Sequence, residues 1–386
     1  MATGPSVRLY VCGITPYDAT HLGHAFTYVA FDLLVRVLQD AGVDVDYVQN
    51  ITDVDEPLFE RAQRDGIDWA DLADREIALF REDMAFLAVL PPRQWVGVRE
   101  AMPVIAAKVR ELVSAGLTYN LPVADGPGED IYLDLASVPS FGSISGWTRE
   151  QMLAVFSERG GDPERAGKRD PLDPLLWHAQ RPDEPAWNAG GLPPGRPGWH
   201  VECTAIAAQS LGLPFDVQGG GADLVFPHHE MSSAQASGVF ARLYVHAGMV
   251  GYQGHKMSKS RGNLVFVSRL REAAVEPMAV RMVLLGHHYR SDWEYTPADL
   301  VAAQRRLGTW REALSLNEAP AAEPTIDAVR AALADDLDTP RALALVDNWA
   351  QRALSAPAGG ADTGVLDPAA CGLMARTLDA VLGIRI

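Results

Sequence analysis

Apolar runs and helical periodicities alternate through the first 116 residues of the chain. An apolar run at 7–14 predicts a buried strand, the pattern over 24–42 predicts a helix, and 43–52 predicts a second strand. Helical patterns follow at 56–87 and 102–115. Parallel α/β sheets bind ligands where their strands end, so the turn-rich polar segment after the first strand is the expected ligand site.

The alternation of strand and helix patterns ends at residue 117. A hairpin pattern, a short helix and loops rich in Gly and Pro follow one another there. A helix at 199–212 and strands at 214–218 and 242–250 restore the alternation, and a Pro- and Ala-rich linker is expected at 318–325. The sequence therefore predicts an α/β nucleotide-binding fold in four parts. These are the first half of the catalytic domain (1–116), an inserted connective subdomain (117–197), the second catalytic half (198–290) and a helical stem with a short C-terminal helical domain (291–386).

Composition narrows the class of protein. The 386 residues include 48% hydrophobic and 22% charged residues, with no apolar run long enough to cross a membrane and no secretion signal in view. Three cysteines (Cys12, Cys203 and Cys371) argue against a disulfide framework and for the reducing cytoplasm. The formal net charge of −17 argues against a large nucleic-acid partner.

Two histidines bracket a glycine where the first predicted helix begins, in His21-Leu22-Gly23-His24. Free N–H groups and the dipole of a helix N-terminus attract phosphate, and glycine lets a nucleotide approach the backbone. The imidazoles of His21 and His24 could then stabilise a phosphate as negative charge builds on it. A pair of capping or surface histidines would give the same sequence, so this motif alone leaves both interpretations open.

Lysine usage favours the catalytic interpretation. The chain has four lysines, and Lys256 and Lys259 are two of them, both in the segment KMSKS. Lysine amines can neutralise the phosphates of ATP as pyrophosphate leaves. A solvated basic loop would explain one lysine, but not two of four. No Walker-type phosphate loop offers a competing ATP site.

Together, the His21–His24 motif and KMSKS resemble the signature pair of class I aminoacyl-tRNA synthetases, whose catalytic domain is a Rossmann (HUP) fold. The segments YVCGITPYD, PGWHVECTA and GGGADLVFPHHE resemble the zinc-binding blocks of the cysteinyl-tRNA synthetases. That resemblance implies one Zn²⁺ on Cys12, Cys203 and His228, holding the thiolate of substrate cysteine. From spacing alone, two buried cysteines and a histidine are more often core residues than metal ligands.

Four departures from the synthetases indicate a narrower family. Ser232 stands where the synthetases have a further zinc-binding glutamate, Ile14 replaces a proline, and the chain carries ERGGDP at 158–163 and ends after one helical bundle. In these features it is similar to the cysteine ligases of mycothiol biosynthesis, and the resemblance covers essentially the whole chain. It implies an actinobacterial, ATP-dependent ligase that joins L-cysteine to the amine of 1D-myo-inositol 2-amino-2-deoxy-α-D-glucopyranoside (GlcN-Ins) through a cysteinyl-adenylate, releasing AMP and pyrophosphate.

The same resemblance assigns roles to individual residues. Transition-state stabilisation falls to His21, His24, Lys256 and Lys259. Binding of the cysteinyl-adenylate or ATP falls to Cys12, Gly13, Ile14, Thr15, Thr27, Asn50, Ile51, Thr52, Trp199, Gly221, Ala222, Asp223 and Val250. The acceptor-side loop is Glu158, Arg159, Gly160, Gly161, Asp162 and Pro163. Mg²⁺ is expected with ATP, and a cytoplasmic monomer that binds neither tRNA nor membrane is expected from the family.

Residue chemistry supports some of these roles independently. Asp223 can accept ribose hydroxyls or an ammonium group, and Trp199 offers a flat wall, although a core tryptophan would occur in the same context. Two rival functions stay open from the residues, namely a short cysteinyl-tRNA synthetase and a non-catalytic sensor of nucleotide or cysteine. No residue is identified as the base for the acceptor amine.

Overall fold

The computed structural model describes residues 5–123, 128–257, 261–356 and 366–386. Its strands are β1 (Ser6–Val11), β2 (Asp44–Ile51), β3 (Gln94–Gly97), β4 (Thr118–Pro122), β5 (Glu129–Leu133), β6 (Leu175–Ala179), β7 (Gly195–Pro197), β8 (Phe215–Gly221), β9 (Ala241–Ala247), β10 (Val250–Tyr252), β11 (His255–Lys256), β12 (Trp293–Glu294), β13 (Ala319–Pro320) and β14 (Leu366–Asp367). Its helices are α1 (Leu22–Asp40), α2 (Glu56–Asp65), α3 (Trp69–Phe86), α4 (Val98–Ser114), α5 (Arg149–Phe156), α6 (Trp199–Leu211), α7 (Glu230–Gln235), α8 (Val267–Glu272), α9 (Pro277–Leu285), α10 (Pro297–Leu314), α11 (Glu323–Ala334), α12 (Thr339–Ser355) and α13 (Ala370–Thr377).

A parallel sheet in the order β3-β2-β1-β8-β9 forms the centre of the part of the chain that the structure describes. Strand β1 pairs with β2 on one side and β8 on the other, and the Cys12 N–H donates to the Gly219 carbonyl (2.9 Å) beyond the paired residues. The chain leaves these two strands in different directions, which opens a crevice at their carboxyl ends. The predicted α/β fold is therefore confirmed.

An antiparallel sheet in the order β4-β5-β6-β7 lies in sequence between α4 and α6. Its inward-facing Ile131, Leu133 and Trp177 share one hydrophobic cluster with side chains of α4 and α6. Trp177 is fully buried, and its indole N–H donates to the Pro193 carbonyl (2.8 Å). The antiparallel sheet is thus anchored to the parallel one by a common core, which fixes the wall that it presents to the crevice.

The C-terminal helices pack against α1 and α9 around a buried network of charges. The guanidinium groups of Arg36 and Arg281 both contact the carboxylate of Asp32, and all three side chains are buried. Arg281 also donates to the carbonyls of Leu382 (2.7 Å) and Leu87 (2.9 Å). A buried charge is tolerated only when it is paired and hydrogen-bonded, so these bonds hold the C-terminal segment to the helix that begins at the His motif.

Three local expectations differ from the structure. The periodicity at 56–87 is two helices, α2 and α3, because Gly66 ends the first in a left-handed conformation (φ 66°). The segment 242–250 divides into β9 and β10, and β10 joins a separate small sheet with β11 and β12. The linker expected at 318–325 instead contains β13 and the start of α11. In the described ranges, no helix combines the length and apolar character that a membrane crossing needs.

Candidate functional site

A cavity of about 450 Å³ opens at the carboxyl ends of β1 and β8. Residues from four separate segments meet in it, and eight of the lining residues are ones that the sequence assigns to the nucleotide or to the transition state. Its walls include Thr15, His21, His24, Thr27, Glu158, Gly221, Asp223, Val250 and Lys256. Lys259 lies outside the residues that the structure describes.

The two histidines of the first motif stand side by side at the start of α1. His21 is the N-cap, and its Nδ1 accepts the Gly23 N–H (3.0 Å), while its ring stacks on that of His24 at 3.8 Å between centroids. Burial lowers the pKa of His21 to about 2, with a further contribution from His24, and burial also lowers the pKa of His24. Both imidazoles are therefore neutral at physiological pH and can hydrogen-bond a phosphate without adding charge.

The ends of β1 and β2 form one hydrogen-bonded unit beneath this cavity. The Gly13 N–H donates to Asn50 Oδ1 (2.8 Å), Asn50 Nδ2 donates to Thr52 Oγ1 (3.1 Å), and the Thr52 N–H donates to the Ile14 carbonyl (2.9 Å). A Cβ added at Gly13 would lie 1.7 Å from the Asn50 carbonyl oxygen, so only glycine fits there. Asn50, Ile51 and Thr52 are all buried and do not line the cavity, so this unit fixes the backbone that leads to Thr15, which does.

The turn after β8 forms the opposite wall. A Cβ at Gly221 would lie 2.6 Å from Asp223 Oδ1 and 3.8 Å from Thr27 Oγ1, so the glycine keeps this wall narrow. Ala222 begins the helical turn that carries Asp223, and the Asp223 carboxylate accepts from Lys256 Nζ (3.4 Å). Lys256 therefore already faces the cavity, where its ammonium can pair with phosphate or with Asp223.

Cys12, Cys203 and His228 come together in the buried interior beside the end of β1. One ligand atom from each lies within 4.8 Å of the others, and all three residues are buried. They come from the end of β1, from α6 and from the turn before α7, so the fold rather than the sequence spacing assembles them. Burial raises the pKa of the Cys203 thiol well above its usual value, a cost that a bound cation would reverse. Two sulfurs and an imidazole form a donor set that suits a soft or borderline divalent metal.

Further histidines surround this trio, and the sequence interpretation missed them. His200 Nδ1 lies 3.0 Å from His228 Nδ1, which leaves Nε2 of His228 available to a metal. His229 Nε2 lies 3.3 Å from Cys12 Sγ, and His229 Nδ1 lies 2.8 Å from His246 Nε2. Such outer contacts orient metal ligands. The sequence signals for them are weak: His229 directly follows His228, His200 precedes Cys203 by three residues, and His246 is near none of the three.

A second cavity, of about 830 Å³, lies between the antiparallel sheet and the start of α2. Trp199 lines this cavity and stacks on the ring of His228 at 4.5 Å between centroids. The indole therefore separates the cavity from the group formed by Cys12, Cys203 and His228. The walls of the cavity are rich in groups that bind hydroxyls, among them Asp55, Glu56, Arg165, His178, Arg181 and Arg196. Thr15, Tyr17, Glu158, Asp223 and Lys256 line both cavities, which makes the two spaces continuous.

Most residues of the ERGGDP loop form contacts that fix the position of the loop itself. Arg159 Nη1 donates to the carbonyls of Asp223 (2.8 Å) and Phe226 (2.5 Å), and Asp162 accepts from Tyr132 and from Lys168 Nζ (2.8 Å). Gly160 has a φ of 83°, in the left-handed region that favours glycine. A Cβ at Gly161 would lie 2.5 Å from the ring of Phe156, so a larger residue would clash there. Pro163 begins the next turn. The carboxylate of Glu158 is exposed and forms no hydrogen bond or ion pair within the described ranges.

Comparison with known proteins finds relatives that all belong to one enzyme family. The family model for the "tRNA synthetases class I (C) catalytic domain" matches residues 2–305. The L-cysteine:1D-myo-inositol 2-amino-2-deoxy-alpha-D-glucopyranoside ligase of Cellulomonas flavigena is 58% identical over 100% of this chain and 92% of its own length. The ligases of the same name from Thermobifida fusca (58% identical, 99% of this chain, 91% of the relative) and Streptomyces griseus (56%, 99% and 92%) are similarly close.

Solved structures share the fold at much lower identity. Mycobacterium tuberculosis methionyl-tRNA synthetase in complex with methionyl-adenylate matches with a TM-score of 0.64 and 17% identity, over 90% of this chain and 82% of that one. The leucyl-tRNA synthetase in the Agrobacterium radiobacter K84 agnB2 LeuRS–tRNA–LeuAMS complex matches with a TM-score of 0.66 and 12% identity, over 99% and 84%. At these identities the likeness establishes the architecture alone.

Proposed function

This chain belongs to the class I (C) tRNA synthetase family and, within it, to the L-cysteine:1D-myo-inositol 2-amino-2-deoxy-α-D-glucopyranoside ligases, and from that premise we propose how its site works. It is an ATP-dependent, AMP-forming ligase of mycothiol biosynthesis that makes an amide bond between L-cysteine and the amine of GlcN-Ins. The observation that carries this proposal is the pair of continuous cavities, one lined by the nucleotide motifs and the other closed by the ERGGDP loop.

In the first step, the cysteine carboxylate attacks the α-phosphate of ATP and pyrophosphate leaves. Neutral His21 and His24 donate hydrogen bonds to the phosphate as its charge grows, and the N-terminus of α1 adds its free N–H groups. Lys256 and Lys259, with Mg²⁺ on the nucleotide, neutralise the departing pyrophosphate. The narrow wall at Gly221 and Asp223 holds the adenylate, and the backbone fixed at Gly13 positions Thr15 beside it.

Cys12, Cys203 and His228 would hold a zinc ion, because sulfur and imidazole donors fit that metal. When bound, the ion supplies a Lewis acid that selects a substrate thiolate over a hydroxyl. Three protein donors leave a position for the substrate sulfur, and Trp199, stacked on His228, walls it off from the second cavity. The strand-to-helix turn from Cys12 to His24 thus serves both ends of one cysteine molecule.

In the second step, the amine of GlcN-Ins attacks the cysteinyl carbonyl and AMP leaves. The second cavity supplies the acceptor side, with the carboxylates and guanidinium groups of the connective subdomain (117–197) facing the sugar and inositol hydroxyls. The loop Glu158–Pro163 and Trp199 bound this space. The proposed form of the enzyme is a cytoplasmic monomer that does not act on tRNA.

The defining experiment separates the two steps. Purified protein should catalyse cysteine-dependent ATP–pyrophosphate exchange without an acceptor, and should release AMP with an amide product, identified by mass spectrometry, when GlcN-Ins is added. A parallel reaction contains tRNA in place of GlcN-Ins. Cysteinylated tRNA without the amide product would identify a short cysteinyl-tRNA synthetase, and absence of exchange would indicate a non-catalytic binding protein.

The metal assignment has a test that does not depend on activity. Elemental analysis should find about one zinc per chain, and Cys203→Ala should lose the metal together with exchange. Cys371→Ala is the matched control, because Cys371 is also buried but contacts the Ala313 carbonyl in the C-terminal helices. Full zinc content in Cys203→Ala would rule out the proposed ligand set.

A further inference from the structure

The boundary between the two cavities is where the amide bond must form. The activated carbonyl lies in the first cavity and the acceptor amine approaches through the second, so both reactants meet beside the residues that line both spaces. An amino-sugar amine is largely an ammonium ion near neutral pH, and an ammonium nitrogen has no lone pair with which to attack. A carboxylate at this boundary would attract the ammonium and accept its proton.

Asp55 lines the second cavity next to this boundary, where two hydrogen bonds hold its carboxylate. It is the N-cap of α2, where Oδ1 accepts the Glu56 N–H (2.9 Å), and Oδ2 accepts from Thr15 Oγ1 (3.1 Å). Thr15 lines both cavities, while Asp55 lines the second. The carboxylate is therefore one hydrogen bond away from a residue that faces both reactants.

We propose that Asp55 is a further catalytic residue, whose carboxylate receives the ammonium group of the acceptor and takes one proton from it. This inference rests on the proposed function, because it assigns a base to the second step of that reaction. It also names a chemical class of ligand for this end of the second cavity, a primary amine carried by a polyol.

The charges around Asp55 suit a base that works near neutral pH. Burial raises the pKa of Asp55 to about 6, against the lowering effects of Arg196, the Glu56 N–H and the Thr15 hydroxyl. Glu56 contributes a smaller rise, and Tyr17 and Glu202 also face this carboxylate. A carboxyl with this pKa is ionised at pH 7 to 8 and binds a proton more strongly than an ordinary aspartate does.

The proposed step balances as follows. The acceptor ammonium gives one proton to the Asp55 carboxylate, and the nitrogen lone pair attacks the cysteinyl carbonyl carbon. The carbon–oxygen bond to the phosphate breaks, and its electron pair leaves with AMP. The nitrogen loses its second proton to water, and Asp55 returns its own proton to solvent through the second cavity.

A purely structural role for Asp55 makes a different prediction. Helix capping needs only a side chain that accepts the first N–H groups, and Asn and Ser cap as well as Asp. Asp55→Asn and Asp55→Ser therefore keep the cap and remove the base. Asp68→Asn is the matched control, because Asp68 caps α3 in the same way, with N–H groups of Ala70 and Asp71, and lies outside both cavities.

The other carboxylates at the boundary are less suited to this role. Asp223 is paired with Lys256 (3.4 Å) and lies beside the nucleotide motifs. Glu158 is exposed, so its carboxylate is solvated and lacks the burial that favours proton uptake at Asp55. Glu158→Gln therefore serves as the competing variant in the same assays.

The experiment measures both steps for each variant. Asp55→Asn should keep ATP–pyrophosphate exchange within about threefold of the wild type, with an unchanged KM for cysteine, and lose roughly 10²- to 10⁴-fold in GlcN-Ins-dependent AMP release. The wild-type rate of that second step should fall as the pH drops through about 6. In Asp55→Asn the rate should instead follow the ionisation of the acceptor amine itself, so that the decline begins at a higher pH. Asp55→Ser should behave like Asp55→Asn, and Asp68→Asn should behave like the wild type.

Three results would overturn the assignment. Unchanged AMP release in both Asp55 variants would mean that the residue is only a helix cap. A raised KM for cysteine in the exchange reaction would mean that Asp55 binds the cysteine ammonium instead. A comparable loss in Glu158→Gln with none in Asp55→Asn would move the base to the loop. Wild-type protein without cysteine-dependent exchange would overturn the proposed function itself, a failure distinct from the other three.

Discussion

Removal of the Arg159 side chain should impair the second step of the reaction more than the first. Arg159 joins the loop Glu158–Pro163 to the turn after β8, through the carbonyls of Asp223 (2.8 Å) and Phe226 (2.5 Å). Its guanidinium also lies 5.6 Å from the ring centroid of Trp147. In Arg159→Ala the loop loses these contacts and no longer closes the second cavity in a fixed position.

The size of the effect follows from these contacts. A hydrogen bond to a charged group contributes about 1.5 to 3 kcal/mol, and two of them set an upper range of about 3 to 6 kcal/mol. Because Arg159 is only partly buried, water replaces part of the lost hydrogen-bond energy in the variant. The expected loss of loop stabilisation is therefore about 2 to 4 kcal/mol. At about 1.4 kcal/mol per factor of ten, kcat/KM for GlcN-Ins should fall roughly 30- to 1,000-fold.

The assay compares the two steps in one preparation. AMP release at varied GlcN-Ins gives kcat/KM for the acceptor, and pyrophosphate exchange at varied cysteine and ATP reports the first step. Exchange should fall by less than about tenfold, because Arg159 bonds the Asp223 backbone and leaves its carboxylate in place. Arg149→Ala is the control, since Arg149 is an exposed arginine of the same subdomain that pairs with Asp170.

The reasoning fails if both steps fall by the same factor, because the loop would then serve the nucleotide rather than the acceptor. It also fails if Arg159→Ala and Arg149→Ala are both indistinguishable from the wild type. Arg159→Lys should recover only part of the loss, because an ammonium group cannot reproduce the reach and planar geometry of the guanidinium.

Three other substitutions test the frame of the site. Gly13→Ala should lower exchange by about tenfold or more and reduce the melting temperature, because its Cβ would meet the Asn50 carbonyl at 1.7 Å. Arg281→Met should lower the free energy of unfolding in urea by about 3 to 5 kcal/mol, since it removes one partner from the buried contact with Asp32; a loss below about 1 kcal/mol would contradict this. Burial raises the pKa of Asp83 to about 7, so the folded state binds more protons than the unfolded chain between about pH 4 and 7 and its stability falls as the pH rises through that window. Asp83→Asn should flatten this dependence in urea titrations at pH 5 and 8, and an unchanged slope would refute it.

Local sequence patterns predicted the parts of this molecule that local physics determines. The strands beside Cys12 and Asn50, and the helix after the His motif, follow from apolar periodicity and stop signals, and the structure confirms the α/β fold. The boundary errors have local causes too. Gly66 interrupts one helical pattern, and the short β13 lies in a segment that composition alone assigned to a linker.

Contacts between distant segments were beyond such patterns. Asp32 and Arg281 are separated by 249 residues, and nothing in either neighbourhood indicates that they meet in the core. The contacts of the histidines around Cys12, Cys203 and His228 were equally unpredictable, because His246 reaches His229 through the pairing of β8 with β9. Long-range contacts of this kind depend on how the elements pack, which periodicity does not encode.

The ERGGDP loop and Asp55 show why a sequence motif and the chemistry near it can lie in different residues. ERGGDP is conspicuous in the sequence, yet the side chains of Arg159 and Asp162 form hydrogen bonds within the protein that position the loop. Asp55 is inconspicuous, because an aspartate before a helix is explained by capping alone. Its second oxygen bonds Thr15 at the boundary of two cavities, and that boundary exists only after the antiparallel sheet has packed against the parallel sheet. In the proposed mechanism the motif therefore bounds the acceptor side, while the group that takes the proton of the amine is recognised only in the assembled cavity.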